Sequence, residues 1–333
     1  MPTLHDVAKA AGVSPMTVSN VLNQHPHVRA ETRERVLRAI DELGYRVNVA
    51  ARNLRAGRTN TIGFAVPEVE SPYFGQLASR IIARAHDAGY RVAIERTGAD
   101  RDNELSAITS SRTRMYDGLI LEAVGLGSAD RDLLHTDVPM VVLGESVFGA
   151  PVDHIALPNE EGTHAATLHL IDRGCRRIAM VLGDELHRLS VTSLRHAGYS
   201  RALAERGIAT DPSLLAVTHE LTAEGGRLAA HRLVDAGAEV DGIVCITDTV
   251  ALGVIRGLAD RGLTVPGDVR VIGFDDLLEG RYSVPSLSTI DPDGDTVAQL
   301  AVDLLLKRLA PDPHWEPRDH VTSFRLVERE STA

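Results

Sequence analysis

Thr3-Leu4-His5-Asp6-Val7-Ala8-Lys9-Ala10-Ala11-Gly12-Val13-Ser14-Pro15-Met16-Thr17-Val18-Ser19-Asn20-Val21-Leu22 decides how this chain of 333 residues begins. Leu4, Val7, Ala8 and Ala11 fall at helical spacing and form one apolar stripe. The Thr3 hydroxyl is placed to cap the N–H three residues on, where Asp6 complements the helix dipole. Gly12 ends this helix, because glycine tolerates the left-handed conformation that a tight turn needs. Ser14 then caps a second helix whose first position is Pro15, where the missing N–H costs nothing. Two helices joined by a turn of about three or four residues containing glycine make a helix-turn-helix.

Working outward, Val18, Val21 and Leu22 recur at i, i+3 and i+4 and should face the core of this small head. Pro15, Met16, Thr17 and Asn20 are left on the face and end that enter a major groove as base readers. Asn20 can pair in bidentate fashion with an adenine edge, and Met16 can touch a thymine methyl. Thr3, Ser14, Ser19, Asn23, His27 and Thr32 are short polar groups suited to phosphate oxygens, which set register without reading sequence. Each residue alone also reads as solvated helix surface; the constellation is what points to DNA. A third helix over about 32–43 puts Val36, Ala39, Ile40 and Leu43 on one face and closes the core. Charge agrees: residues 1–58 carry nine Lys/Arg against five Asp/Glu, so a total of −11 leaves −15 on the rest. A basic head on an acidic body suits a polyanionic partner for the head alone.

The string Thr3-Leu4-x-Asp6-Val7-Ala8-x-x-Ala11-Gly12-Val13-Ser14-x-x-Thr17-Val18-Ser19-x-Val21-Leu22-Asn23 resembles the head motif of the LacI/GalR family of bacterial transcription regulators. The resemblance continues through Thr32-Arg33, Val36, Leu43-Gly44-Tyr45, Asn48, Ala51-Arg52, Leu54 and Arg55 and covers essentially the whole chain. It implies a homodimer, or a tetramer, that binds a pseudo-palindromic double-stranded operator and senses a small molecule in a periplasmic-binding-protein-like core. Residues 46–58 read as a hinge whose single short helix is marginal in isolation and folds against DNA. By resemblance Asn48, Ala51, Arg52 and Leu54 lie at the minor groove, with Leu54 the apolar wedge that opens a base step. Packing of Leu54 against the core is the competing reading. Val47 departs from the proline common there, so the chain is less restricted in φ at that point.

Beyond residue 58 the periodicity changes. Apolar runs at 62–66, 91–94, 118–121, 139–143, 178–182, 242–246 and 269–274 alternate with amphipathic segments. One segment carries Phe74, Leu77, Ala78, Ile81, Ile82 and Ala85 on a single helical face. Unbroken apolar strands alternating with helices mean parallel sheets covered on both sides. The fold expected is an all-α helix-turn-helix head (1–45), a hinge (46–58) and an α/β periplasmic-binding-protein-like core of two parallel-sheet lobes (59–333). By resemblance the lobes interleave, the first taking about 59–157 and 291–319 and the second about 158–290 and 320–330, the latter including the final strand 323–327.

Ligands of such folds sit outside the carboxyl ends of the strands, here between the lobes. Tyr73 and Phe74 offer aromatic faces, Thr247 and Asp248 end one strand, and Glu122 and Glu145 close two others, where a hydrated surface carboxylate is the equal alternative. Arg195 and Asp275 match the family's effector-binding arginine and aspartate. Leu221, Thr247 and Pro292 depart from the sugar-binding members, so a sugar is the expected effector on frequency in the family only. Four acids around one arginine suit a polyhydroxylated neutral or cationic ligand better than a phosphate.

Other chemistry finds little support. Gly125-Leu126-Gly127 follows a strand, but Asp130 stands where a dinucleotide fingerprint needs glycine. The fourteen histidines show no paired spacing for a metal, and no cofactor is expected. Cys175 and Cys245 read as buried thiols of a cytoplasmic protein. No charged-then-apolar leader and no run of about eighteen apolar residues is present, so neither export nor membrane insertion is expected. The function expected is effector-controlled transcriptional repression. A corepressor-dependent regulator sensing a nucleoside, purine or other metabolite is the alternative, and an α/β-core enzyme stands behind it for want of a nucleophile with base and orienter.

Overall fold

Local sequence signals build the head as read. The computed structural model describes residues 2–23, 25–46, 58–109, 115–310 and 314–333. Helix α1 (Leu4–Ala11) opens with a capping box in which the Thr3 hydroxyl and N–H meet Asp6, and it ends at Gly12 with φ 62°. Helix α2 (Pro15–Leu22) starts at Ser14, whose hydroxyl accepts from Thr17 N at 3.1 Å. Helix α3 is Ala30–Leu43, two residues longer at its start than expected. Val7, Ala8, Ala11, Val18, Val21, Val36 and Ala39 form the buried core of this unit. Leu22 and Ile40 are only half-buried, and Leu43, expected in that core, is exposed. The expected hinge residues Asn48, Ala51, Arg52 and Leu54 lie outside the described residues.

The chain divides into two units, Met1–Thr59 and Asn60–Ala333. The second unit holds two six-stranded sheets. The first contains β1 (Thr61–Val66), β2 (Arg91–Arg96), β3 (Gly118–Glu122), β4 (Met140–Leu143), β5 (Asp153–Ala156) and β11 (Asp319–Val321), in the order β11-β5-β4-β3-β1-β2, all parallel. The second contains β6 (Ile178–Leu182), β7 (Leu215–Val217), β8 (Gly242–Cys245), β9 (Arg270–Phe274), β10 (Ser288–Asp291) and β12 (Arg325–Val327), in the order β12-β10-β9-β8-β6-β7. Only its β10–β12 pair is antiparallel. β11 belongs to the first sheet, so the last passage between lobes falls after Val321, two residues beyond the expected boundary.

Helices α4 (Pro72–Asp87) and α5 (Arg101–Ile108) follow β1 and β2 in the first lobe. Helices α6 (Asn159–Asp172), α7 (Val191–Glu205), α8 (Ala223–Asp235), α9 (Asp248–Asp260) and the short α10 (Leu278–Tyr282) serve the second, and α11 (Gly294–Leu309) returns to the first. On α4, Leu77, Ala78, Ile81 and Ala85 are buried as the stripe predicts, but Ile82 is exposed. Close approach is built into α8 and α9: a Cβ on Gly226 or Gly253 would overlap the carbonyl oxygen of Val250 or Ala223 on the facing helix. Among the described residues no helix is long and apolar enough to cross a membrane.

Candidate functional site

Two surfaces carry chemistry, one in each unit. In the head, Pro15 and Met16 are exposed, Met16 by 70%, and Thr17 and Asn20 stand half-buried on the same helix. The Asn20 amide makes no hydrogen bond among the described residues, whereas Thr3 and Ser14 use their hydroxyls as caps. Ser19 receives Asn23 Nδ2 at 3.4 Å, His27 is exposed, and Thr32 is half-buried in the first turn of α3.

In the core, the strand ends of the two lobes bring Tyr73, Glu122 and Glu145 toward Arg195 and Asp275. Arg195 on α7 is 2% exposed and is held from three directions. Its Nε donates to Asn159 Oδ1 at 2.7 Å, its Nη1 donates to the Ile246 carbonyl, and its Nη2 lies 3.5 Å from Asp275 Oδ1. The guanidinium also covers the Phe274 ring at 3.5 Å. Asn159 turns its other end to the first lobe, where Nδ2 donates to Glu145 Oε1 at 2.8 Å. A buried chain Glu145–Asn159–Arg195–Asp275 therefore joins the lobes.

Charge in this cleft is poorly compensated. Burial pushes Asp275 up to about 7 against the pull of Arg195, and it raises Glu145 despite the same cation. Glu122 is held well above the usual carboxylate range by burial and then by Glu145. Burial, followed by the acids Glu122, Asp275 and Glu145, raises the Tyr73 phenol. Asp275 and Asp276 both have positive φ, 118° and 49°, a strained turn that aims one carboxylate at Arg195 and the other at Arg281 and Arg329. Beside them a polar crevice of about 140 Å³ lies between Tyr73, Gln76 and Arg80 of α4 and Asp275, Asp291 and Asp293.

Three expected effector residues stand differently. Asp248 is fully buried, and both its oxygens are occupied, Oδ1 by Thr289 Oγ1 at 2.6 Å and Oδ2 by Leu277 N at 2.8 Å. It fixes the loop that carries Asp275 and is not open to a ligand, a correction to its assignment. Thr247 caps α9 by accepting from Val250 N at 3.2 Å. Phe74 packs edge to face on Tyr73 and against the first lobe's core. Asn159 was missed, although it directly follows Leu157-Pro158 at the expected lobe boundary, the one signal that marks it.

Residues 3–48 match "Bacterial regulatory proteins, lacI family", and residues 167–332 match "Periplasmic binding protein-like domain". The HTH-type transcriptional repressor PurR of Vibrio atlanticus is 30% identical over 331 residues, 99% of this chain and 98% of that one. The chain belongs to the LacI family. The ribose operon repressor of Haemophilus influenzae is 32% identical to this LacI-family chain, covering 99% of it and 98% of the relative. The lac repressor dimer bound to operator and the anti-inducer ONPF aligns with a TM-score of 0.83 at 30% identity over 99% of each chain. A LacI-family regulator from Sanguibacter keddieii is 40% identical, with a TM-score of 0.76 over 83% of this chain and 99% of that one. This LacI-family protein is a DNA-binding transcriptional regulator with an effector-binding core, and these relatives are transcriptional repressors and regulators.

Proposed function

We propose that this LacI-family regulator is a cytoplasmic repressor that binds a pseudo-palindromic operator as a homodimer and releases or grips it according to a sugar-class effector held between the lobes. Pro15, Met16, Thr17 and Asn20 read bases, and Thr3, Ser14, Ser19, Asn23, His27 and Thr32 meet phosphates. Arg195, Asp275, Glu145, Glu122 and Tyr73 meet the effector. The observation that carries this reading is the buried chain from Glu145 through Asn159 and Arg195 to Asp275. A ligand that replaces or completes those bonds acts on both lobes at once, and its coupling to operator affinity is then reciprocal. The test is calorimetry of full-length protein against sugars beside fluorescence anisotropy with operator. Arg195→Ala or Asp275→Ala should weaken the ligand by about 1.5 to 3 kcal/mol, the range for hydrogen bonds to charged groups. Both should still bind operator without ligand. Normal ligand binding by both mutants, or consumption of the ligand during titration, overturns the reading.

A further inference from the structure

One acid in the cleft has no answer from the protein. Glu122, the last residue of β3, is 8% exposed, and no hydrogen bond or ion pair reaches its carboxylate among the described residues. The other acidic candidates are all engaged. Glu145 receives Asn159 Nδ2, Asp275 faces Arg195, and Asp248 is held by Thr289 and Leu277. Glu104, fully buried and close enough for its charge to act on Glu122, accepts from the N–H groups of Val124, Gly125 and Leu126 at 3.0, 2.8 and 2.9 Å. A carboxyl that is nine-tenths buried and has no protein partner is poorly solvated, and a bound donor relieves that cost.

The surroundings decide what charge that donor carries. Glu122 feels Glu145 and Glu104, both acids, while the Arg195 guanidinium is turned to Asp275 and stacked on Phe274. An anion has no seat here. The backbone N–H groups after β3, of the kind that cradle phosphate, already point at Glu104, and that of Gly127 goes to Asp130 Oδ2 at 2.9 Å. A metal lacks its ligand set, since no three His, Cys, Asp or Glu side chains among the described residues are grouped to hold one. An ammonium brings three N–H donors with its charge, and it rests favourably on an aromatic face such as Tyr73.

We propose that the effector carries a protonated amine on its polyhydroxylated frame, seated against Glu122 and Glu145 at the end of β3 beside Tyr73: an amino sugar or amino polyol, not a neutral or phosphorylated sugar. This rests on the effector reading of the cleft given above.

The experiment uses matched pairs as probes against the full-length protein: D-glucosamine with D-glucose, D-galactosamine with D-galactose, D-mannosamine with D-mannose, and N-methylglucamine with sorbitol. Thermal shift is followed by calorimetry on any pair that responds. The expected result is an amine that binds roughly tenfold or more tightly than its neutral twin. Glu122→Gln, and independently Glu145→Gln should Glu122→Gln fail to fold, is expected to erase that preference. Equal or tighter binding of the neutral twin overturns the amine while leaving the effector reading of the cleft intact. A preference that survives in both variants overturns the seat. No response from either member of any pair overturns this proposal together with the sugar reading.

Discussion

Asn159 donates its Nδ2 to Glu145 Oε1 at 2.8 Å across the junction of the lobes while its Oδ1 accepts from Arg195. Asn159 is 1% exposed and begins α6, so the amide is fixed by the helix that starts there. Parting the lobes at this point breaks a hydrogen bond between groups that are both buried, and a ligand in the cleft competes with or reinforces that bond.

Asn159→Ala leaves Glu145 and Arg195 each short of a partner. Urea denaturation should show a loss of about 1 to 3 kcal/mol, the cost of a buried polar group left unsatisfied. In a double-mutant cycle with Glu145→Gln, a coupling of at least about 0.5 kcal/mol is expected. Strict additivity would mean that the two side chains do not act together.

Asp248 gives the core a pH dependence of definite sign. Its carboxyl is raised from the ordinary 3.8 to about 8, by burial first and the nearby Asp275 second. The folded state therefore prefers the protonated acid. The stability this confers is complete below the unfolded value and is lost as pH rises through the folded one. Between about pH 5 and about pH 8 this residue should cost the core on the order of 3 kcal/mol. Asp248→Asn can still accept from Leu277 N and donate to Thr289 Oγ1, so it should fold and remove this share of the slope, leaving the share of Asp275, Glu145 and Glu122, whose carboxyls burial raises too. Melting curves across that range check it; an unchanged slope in the variant removes Asp248 as its source.

Gly273 makes that burial of Asp248 sterically possible, since a Cβ there would overlap Asp248 Oδ1. Gly273→Ala should destabilise the core by about 1 to 3 kcal/mol, as overpacking does. The same variant should displace the loop bearing Asp275, so a ligand that binds the wild type should bind it more weakly in calorimetry.

Asn20→Ala should cost about 1 to 3 kcal/mol on the preferred operator and relax preference at one symmetric pair of positions, while the salt dependence of binding stays the same. A binding-site selection with unchanged preference takes Asn20 off the reading face.

The head was legible because its signals are local: Thr3 with Asp6, Ser14 with Pro15 and the Val18–Val21 stripe lie within a few residues of one another. The apolar strands were legible for the same reason. β5 was hidden because Asp153 and His154 are buried against partners far along the chain, Trp315 Nε1 at 2.9 Å and Asp319 Oδ1 at 2.8 Å. β10 was hidden likewise, its Ser288 lying 2.7 Å from Thr332 Oγ1 and its Thr289 bonded to Asp248. In the cleft, Arg195 and Asp275 were placed by resemblance, but the spacing of Asp248 and Asp275 cannot tell which acid is sealed. The turn at Asp275 and Asp276, with φ 118° and 49°, decides that, and it depends on packing from β10 and α9. Leu43 and Ile82 follow a helical stripe yet remain exposed, because a stripe gives direction and not the extent of what covers it.

The most direct test of effector control is an anisotropy titration of full-length protein with a fluorescent operator from the binding-site selection, alone and with a saturating amount of the tightest probe from the amine and sugar pairs. Ligand should change operator affinity by roughly 5- to 150-fold, the usual range for coupled sites. In Arg195→Ala and Asp275→Ala that change should vanish at the same ligand concentration while ligand-free affinity persists. An operator affinity in the wild type that is identical with and without bound ligand would contradict the account.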